Sequence, residues 1–368
     1  MDKGFRCLSL LTIFVWSVSS FAATSYVVTD NNGGPNTISA FSLNTTSGLL
    51  SLSKRVRTGG GGGATIDAPL QAVSNDARCV FAVDTVSNDI AALAAPSYNA
   101  VGKFSNSALI FSRIVNDGGG IALAPSGKFL YGAYYDSQNI GAWQVNADCS
   151  LTLLAVYVPP LGINGNLGVS PNGRTLVVPS GSESAESFAI GSTGELTDLG
   201  SVSFDAGVCA PGGCEPTGVD FTRDSKVVLF NSIGSEIAVL AANVETSGAL
   251  TNPQAWNLSN NTPEIGVGMS IFLGAKAYNG SGFLYLGFLG GVMTANFTEN
   301  PLNVTFANLT SIDMTGGITV TGDILLVADD SSNIRSFRIN ADGSLTALSQ
   351  VFDNNSDALS LSVYPNTR

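Results

Sequence analysis

Short apolar segments alternate with turns rich in Gly, Asn, Asp and Ser along most of the chain. In one clear copy, the apolar segment 121–124 is followed by the turn 125–127 and a second segment beginning at Phe129. A third segment, 139–145, and a Leu-Thr pair at 151–152 complete the copy. Short segments separated by small turn residues are typical of antiparallel hairpins, so the pattern predicts strands throughout.

This strand–turn unit recurs at intervals of 42 to 56 residues. Its second strands are centred on Val27, Val80, Leu130, Leu176, Val228, Leu284 and Leu326. Such an interval fits one four-stranded propeller blade of ~40 to 50 residues, whereas ankyrin and tetratricopeptide repeats are shorter. We therefore predict an all-β fold, a seven-bladed β-propeller with four antiparallel strands per blade.

The two ends of the repeat array are complementary. The first repeat lacks an inner strand before Tyr26, and the last is followed by an extra apolar segment from Ala358 to Val363. An open ring would leave unpaired strand edges, so we expect this segment to complete the first blade. Residues 23–368 are then a single domain.

The first 22 residues have the pattern of a secretory signal. Lys3 and Arg6 precede an apolar stretch from Cys7 to Val18, and small residues at Ser20 and Ala22 frame a cleavage point. The stretch is shorter than the ~20 residues of a membrane-spanning helix, and no later one is longer. We expect a secreted, extracellular protein without a membrane span.

The amino-acid composition argues against several classes of partner and catalytic mechanism. The formal net charge is -12, from 16 Lys and Arg against 28 Asp and Glu, which argues against nucleic-acid or anionic-membrane partners. The chain contains no His, so it lacks the usual general base near neutral pH and the commonest metal ligand. We predict no metal and no cofactor, and we expect a monomer.

Asn-X-Ser/Thr sequons are dense in the C-terminal third of the chain. Chance accounts for some of them in a sequence this rich in Asn, Ser and Thr, but the secretory signal favours glycosylation. The predicted acceptors are Asn44, Asn257, Asn260, Asn279, Asn296, Asn303, Asn308 and Asn354.

Four cysteines follow the signal: Cys79, Cys149, Cys209 and Cys214. An even number in an oxidising compartment predicts two disulfides, with three pairings formally open. We favour Cys209–Cys214, which closes a tight local loop, and Cys79–Cys149 then follows by elimination. A zinc site is the alternative, disfavoured by the wide separation of the two cysteine pairs and by the lack of His.

Residues 124–131 and 170–178 resemble the repeat signature of the lactonase-type seven-bladed propellers, which include 6-phosphogluconolactonase and carboxymuconate-lactonizing enzymes. The resemblance spans the predicted mature chain and implies this fold and a lactone substrate. Enzymatic members of the group have a His, often beside Pro, in connections that lead into inner strands. Here Glu215 stands beside Pro216, so the resemblance supplies no catalytic residue.

We expect a ligand where the connections between blades converge over the central channel. The predicted ligand-binding residues are Arg55, Arg57, Gln71 and Asn166. A lactone hydrolase needs a base for water and a stabiliser for the oxyanion, and we assign these roles to Glu215 or Glu264 and to Arg113.

The leading hypothesis is a secreted propeller that hydrolyses or isomerises a small sugar-acid or muconate-type lactone. The alternative is a non-catalytic extracellular propeller that binds carbohydrate or protein, which the missing His and the many sequons favour. The run Gly59–Gly63 lacks the Lys-Ser/Thr pair of a phosphate loop, so we interpret it as a flexible connection.

Overall fold

A computed structural model describes most of the chain after the predicted signal. The described residues are 24–31, 35–63, 70–95, 98–106, 108–109, 120–204, 206–209, 214–233, 237–259, 272–278, 281–288, 291–312, 315–329, 333–353 and 360–364. The predicted signal, residues 1–22, lies outside them.

The strands form seven separate four-stranded antiparallel sheets, which are the blades. From the innermost strand outward, blade 1 contains β28 (Ser360–Tyr364), β1 (Thr24–Asp30), β2 (Thr37–Asn44) and β3 (Leu50–Arg57). Blade 2 contains β4 (Gln71–Val73), β5 (Cys79–Asp84), β6 (Asp89–Ala94) and β7 (Asn99–Phe104). Blade 3 contains β8 (Gly120–Leu123), β9 (Phe129–Tyr134), β10 (Asn139–Val145) and β11 (Leu151–Tyr157).

The remaining blades repeat this order. Blade 4 contains β12 (Gly168–Val169), β13 (Thr175–Ser180), β14 (Ser184–Ile190) and β15 (Leu196–Ser203), followed by a short 3₁₀ turn (Ala206–Cys209). Blade 5 contains β16 (Glu215–Phe221), β17 (Val227–Ile233), β18 (Ala238–Val244) and β19 (Leu250–Asn257). Blade 6 contains β20 (Phe272–Tyr278), β21 (Ser281–Phe288), β22 (Gly291–Glu299) and β23 (Leu302–Ser311). Blade 7 contains β24 (Thr315–Thr321), β25 (Ile324–Asp329), β26 (Asn333–Ile339) and β27 (Leu345–Asp353).

The ring closes as the sequence predicts. Strand β28 pairs with β1 from Tyr26↔Tyr364 to Asp30↔Ser360, so the last strand supplies the inner strand of the first blade. Neighbouring inner strands contact one another around the whole circle, including β24 with β28 and β28 with β4. The predicted seven-bladed propeller is therefore confirmed.

The apolar core is divided among the seams between blades. Seven buried clusters are present, and each joins side chains of two neighbouring blades. Because a blade packs on both faces, its second strand is buried on both faces; all six residues of β5 are buried. The stability of each blade therefore depends on its neighbours.

A repeated contact links consecutive blades at the third turn. Gly194, at that turn of blade 4, lies so close to Phe129 of blade 3 that any side chain at 194 would collide with the ring. Gly343 of blade 7 packs in the same way on Phe283 of blade 6. Both glycines have positive φ, of 87° and 80°, which glycine adopts without steric cost.

The Cys79–Cys149 disulfide occupies the corresponding place between blades 2 and 3. Cys149 lies in the third turn with φ of 71°, and its N–H donates to Asn146 O as Gly343 N–H donates to Asn340 O. Cys79 begins β5, as Phe129 begins β9. The predicted pairing is thus present, and it replaces a non-covalent contact found at other seams. Cys214 is also disulfide-bonded; the side chain of its predicted partner, Cys209, lies outside the described residues, so that pairing stays a prediction.

Candidate functional site

The inner strands surround a cavity of about 460 Å³ along the central channel. Its wall combines aliphatic residues such as Ile121, Val169 and Val363 with a comparable polar surface, and it extends to the first turns of the blades at Asn75 and Arg223. A concave site of this size, with both apolar and polar lining, fits a small organic molecule that carries polar groups. The channel is therefore the candidate ligand site.

The connection between blades 3 and 4 packs tightly against the inner strand of blade 5, at the end opposite the first turns. A side chain at Gly165 would collide with the backbone of Thr217. The N–H of Asn166 donates to Thr217 O at 2.8 Å, and Asn166 is only 4% exposed. The cavity thus extends toward the first-turn face, whereas the sequence-based expectation placed the site under the connections between blades.

One carboxylate stands out in the wall of the cavity. Asp220 on β16 is paired with Leu229 of the second strand, and in every other blade the residue paired with the corresponding second-strand position is small. The corresponding residues are Ser362, Ala72, Ala122, Gly168, Gly274 and Thr319. An ionisable group replaces a small side chain at just one of seven equivalent positions, which is the pattern of a functional substitution in a structural repeat.

Asp220 is close to fully buried, at 9% exposure, between Val219 and Phe221. Its Oδ1 accepts a hydrogen bond from the N–H of Phe221 at 2.8 Å, which helps to orient the carboxylate. Thr319, the corresponding residue on β24, also lines the cavity. A carboxylate and a hydroxyl side chain that line one cavity can activate water and polarise a carbonyl group.

Gln71 is the one predicted ligand-binding residue that lines the cavity, but its amide is engaged in the closure of the ring. Its Nε2 donates to Val28 O at 3.2 Å, and its Oε1 accepts a hydrogen bond from the Ser360 hydroxyl. Ser360 Oγ also accepts from the N–H of Leu70. Gln71 therefore joins blades 1 and 2 through the closing strand.

The other predicted site residues are dispersed. Glu215 is half-buried at the start of β16, ~15 Å along the strand from Asp220, and is not part of the cavity wall. Arg55 and Arg57 lie on β3, the outermost strand of blade 1, where Arg55 Nε donates to Ser39 Oγ. The expectation that Arg55 and Arg57 lie in a connection over the channel is therefore wrong, because strand β3 continues to Arg57 at the outer edge of the blade. Arg113 and Glu264 lie outside the described residues.

The Gly59–Gly63 connection is hydrogen-bonded over the seam between blades 1 and 2. Gly61 N–H donates to Ser87 Oγ, and Gly63 N–H donates to Thr85 Oγ1 at 2.8 Å. A side chain at Gly60 would collide with the carboxylate of Asp84. The segment thus has a defined conformation, and its glycines permit close approach to a buried acid rather than to phosphate.

Asp84 is fully buried beneath this connection. Its Oδ1 accepts hydrogen bonds from Thr58 Oγ1 at 2.6 Å and Asn36 Nδ2 at 2.9 Å. Lys103 Nζ lies 3.0 Å from Asp89 Oδ2 and 3.9 Å from Asp84 Oδ2. Burial raises the pKa of Asp84 to about 6, the hydrogen bonds from Thr58 and Asn36 oppose the shift, and the neighbouring Asp89 adds to it.

This carboxyl makes the protein's stability depend on pH. The folded-state pKa lies above the usual 3.8, so proton binding favours the folded state. The contribution is complete below pH 3.8 and is lost as the pH rises through about 6. Between these pH values we expect the unfolding free energy of the wild type to fall by on the order of 2 kcal/mol because of this group. The Asp84→Asn variant should not show this decrease, and denaturant titration at each pH measures both proteins.

A matched control is Asp76→Asn, because the Ser74 hydroxyl and the Arg78 N–H lower the pKa of Asp76. Its contribution is instead lost as the pH falls. Identical pH profiles for wild type and Asp84→Asn would contradict the assignment.

The sequons cluster on blade 6. Asn296, Asn303 and Asn308 are all exposed on its two outer strands, β22 and β23. Asn44 is exposed at the end of β2, and Asn257 on β19 is half-buried, donating to Val208 O. The remaining predicted acceptors, Asn260, Asn279 and Asn354, lie outside the described residues.

In the described part of the chain, no group of three or more His, Cys, Asp or Glu side chains is arranged to hold a metal ion. Within the same ranges, no helix has the length and hydropathy that a membrane crossing requires.

Solved structures share this architecture. The chain is similar to a protein from Lactobacillus plantarum, with a TM-score of 0.70, 16% identity, and coverage of 93% of this chain and 99% of that one. A Bacteroides fragilis protein assigned as a 6-phosphogluconolactonase gives a TM-score of 0.70, 17% identity and coverage of 94% and 99%. The periplasmic gluconolactonase of Pseudomonas aeruginosa gives a TM-score of 0.69 and 16% identity, with coverage of 93% of this chain and 99% of that one. No protein-family model and no curated protein matches the sequence. At these identities the similarity establishes a shared fold.

Proposed function

We propose that the protein binds a small lactone in its central channel and hydrolyses it with Asp220 as the general base. The observation that carries this proposal is the single carboxylate at the ring of equivalent inner-strand positions, inside a cavity of about 460 Å³. The shared fold with proteins named as a gluconolactonase and a 6-phosphogluconolactonase supports the choice of substrate class. The signal-like N-terminus supports secretion, and the exposed sequons support glycosylation.

The proposed reaction needs one proton acceptor and one polar donor. Asp220 takes a proton from water as the water oxygen attacks the lactone carbonyl, and the Thr319 hydroxyl donates to the carbonyl oxygen. Collapse of the tetrahedral intermediate breaks the ring C–O bond, and the departing alkoxide receives the proton. The product is the open hydroxy acid, which requires no cofactor.

The test is a pH-stat assay of purified protein with glucono-δ-lactone, its 6-phosphate and muconolactone, corrected for spontaneous hydrolysis. We expect turnover of at least one lactone and a loss of ~10²-fold or more in kcat for Asp220→Asn. Asp136→Asn is the matched control, because Asp136 is exposed in the second turn of blade 3, away from the cavity wall. Wild-type turnover that Asp220→Asn leaves intact would reject Asp220 as the base.

A non-catalytic ligand-binding propeller is the second candidate, favoured by the complete absence of His. Calorimetric titration of the same lactones distinguishes the two. Binding without turnover, weakened by Asp220→Asn, identifies a binding protein. If the protein neither binds nor turns over these lactones, they are excluded as its ligands.

A further inference from the structure

The outer edge of blade 3 differs from the other six outer edges. Unpaired strand edges invite pairing with another chain, and proteins protect them with charges, prolines, bulges or a covering segment. Five of the seven outermost strands contain a charge or a proline: Lys54 in β3, Lys103 in β7, Asp198 in β15, Pro253 in β19 and Asp353 in β27. Strand β23 has neither, but it contains the sequons at Asn303 and Asn308. Strand β11, with the sequence LTLLAVY, contains no charge, no proline and no sequon; its pairing with β10 has the same irregularity of register that the outer pairing of every blade shows.

Strand β11 also presents apolar side chains to solvent. Leu154 is 40% exposed and Val156 36% exposed on the strand, and Val158 and Leu161 in the following connection are 73% and 47% exposed. These four residues form what we call the blade 3 strip. Large aliphatic side chains clustered at an unprotected edge are typical of an interaction surface.

The charge distribution indicates what covers the blade 3 strip. The chain carries a net charge of -12, so two copies repel each other over most of their surfaces. From Cys149 to Gly173 there is no Asp, Glu, Lys or Arg, and no sequon occurs between Asn44 and Asn257. The strip itself therefore carries no charge, and the carboxylate of Glu186, which accepts a hydrogen bond from the N–H of Leu161, lies at one end of it. The strip also lies outside the sequon-rich sector of the ring.

We propose that two copies of this chain associate through the blade 3 strip, with β11 of each copy extending the sheet of the other. A two-fold arrangement places the same residues on both sides, so the aliphatic side chains bury one another and the outward backbone groups find partners. The arrangement leaves the channel open and is independent of the function proposed above. It replaces the monomer expected from sequence alone.

Sedimentation of the secreted protein over a wide range of concentration tests the proposal. We expect the mass of two chains for wild type and a roughly tenfold or greater weakening of association for Val156→Lys, because the strand edge gains a charge. Leu52→Lys is the matched control, since Leu52 is 43% exposed on the outer strand of blade 1; it should associate as wild type does. Val158→Lys, outside the strand, gives a second variant with no effect on the ladder.

Thermal unfolding of each variant establishes that its fold is intact. A wild type that stays monomeric at every concentration overturns the proposal. So does a dimer that both Val156→Lys and Val158→Lys leave unchanged, whether or not Leu52→Lys weakens it.

Discussion

A chain that ends at residue 359 is expected to lose the cooperative thermal transition of the protein. This deletion removes β28, so β1 loses the inner of its two ladder partners and the inner strands β24 and β4 lose the element between them. The buried amide oxygen of Gln71 would also lose the hydrogen bond that the Ser360 hydroxyl donates to it. Because stability totals only ~5–15 kcal/mol for a typical domain, the loss of a whole strand and two inner-strand contacts is enough to open the ring.

Circular dichroism during heating measures the outcome, and a chain ending at Tyr364 is the matched control because it keeps β28 whole. Adding a synthetic peptide of residues 358–364 to the shortened chain should restore a transition if closure is the cause. A shortened chain that melts at the wild-type temperature would show that closure contributes little to stability.

Removal of the Cys79–Cys149 disulfide is expected to lower the unfolding free energy by about 4 kcal/mol when both cysteines become serine. The bond links positions 70 residues apart, and a loop of this length restricts the unfolded chain by roughly that amount. The identity of the residue at 149 should matter as well. With φ of 71°, position 149 favours glycine, so Cys79→Ser with Cys149→Gly should recover ~1 kcal/mol relative to the double serine variant.

Guanidinium denaturation of the three proteins without reductant provides the comparison. Equal midpoints for the two double variants would contradict a cost of positive φ at position 149. A wild-type midpoint matching both variants would mean that the seam between blades 2 and 3 opens only after the ring has already unfolded.

The repeat pattern carried most of the information about the fold. Spacing of the second strands predicted seven blades, and the apolar tail after Ala358 predicted ring closure, because an inner strand was missing before Tyr26. The β28–β1 ladder confirms that closure. These features are visible in sequence because every blade must bury two faces and every hairpin needs small turn residues.

The position of the site was harder to predict. Arg55 and Arg57 look like connection residues because they precede the Gly59–Gly63 run, and only the ladder with β2 shows that the strand extends to Arg57. Gln71 resembles a ligand-binding amide until its partners on β28, some 290 residues away, are known. Asp220 carries a partial signal in the sequence. In blades 2 to 4 the residue at the same distance from the first turn is small, as Ala72, Ala122 and Gly168 show, whereas the shorter first turns of blades 6 and 7 make the ladder registers necessary.

The cysteine at position 149 has an evolutionary consequence. The segments Asn146-Ala-Asp-Cys-Ser150 and Asn340-Ala-Asp-Gly-Ser344 differ only at the central turn residue, and Gly and Cys codons are one nucleotide apart. Gene duplication that multiplied the blades would also have multiplied this site. A lineage built on such a scaffold can acquire or discard covalent reinforcement one seam at a time, adapting to harsher surroundings without altering the channel.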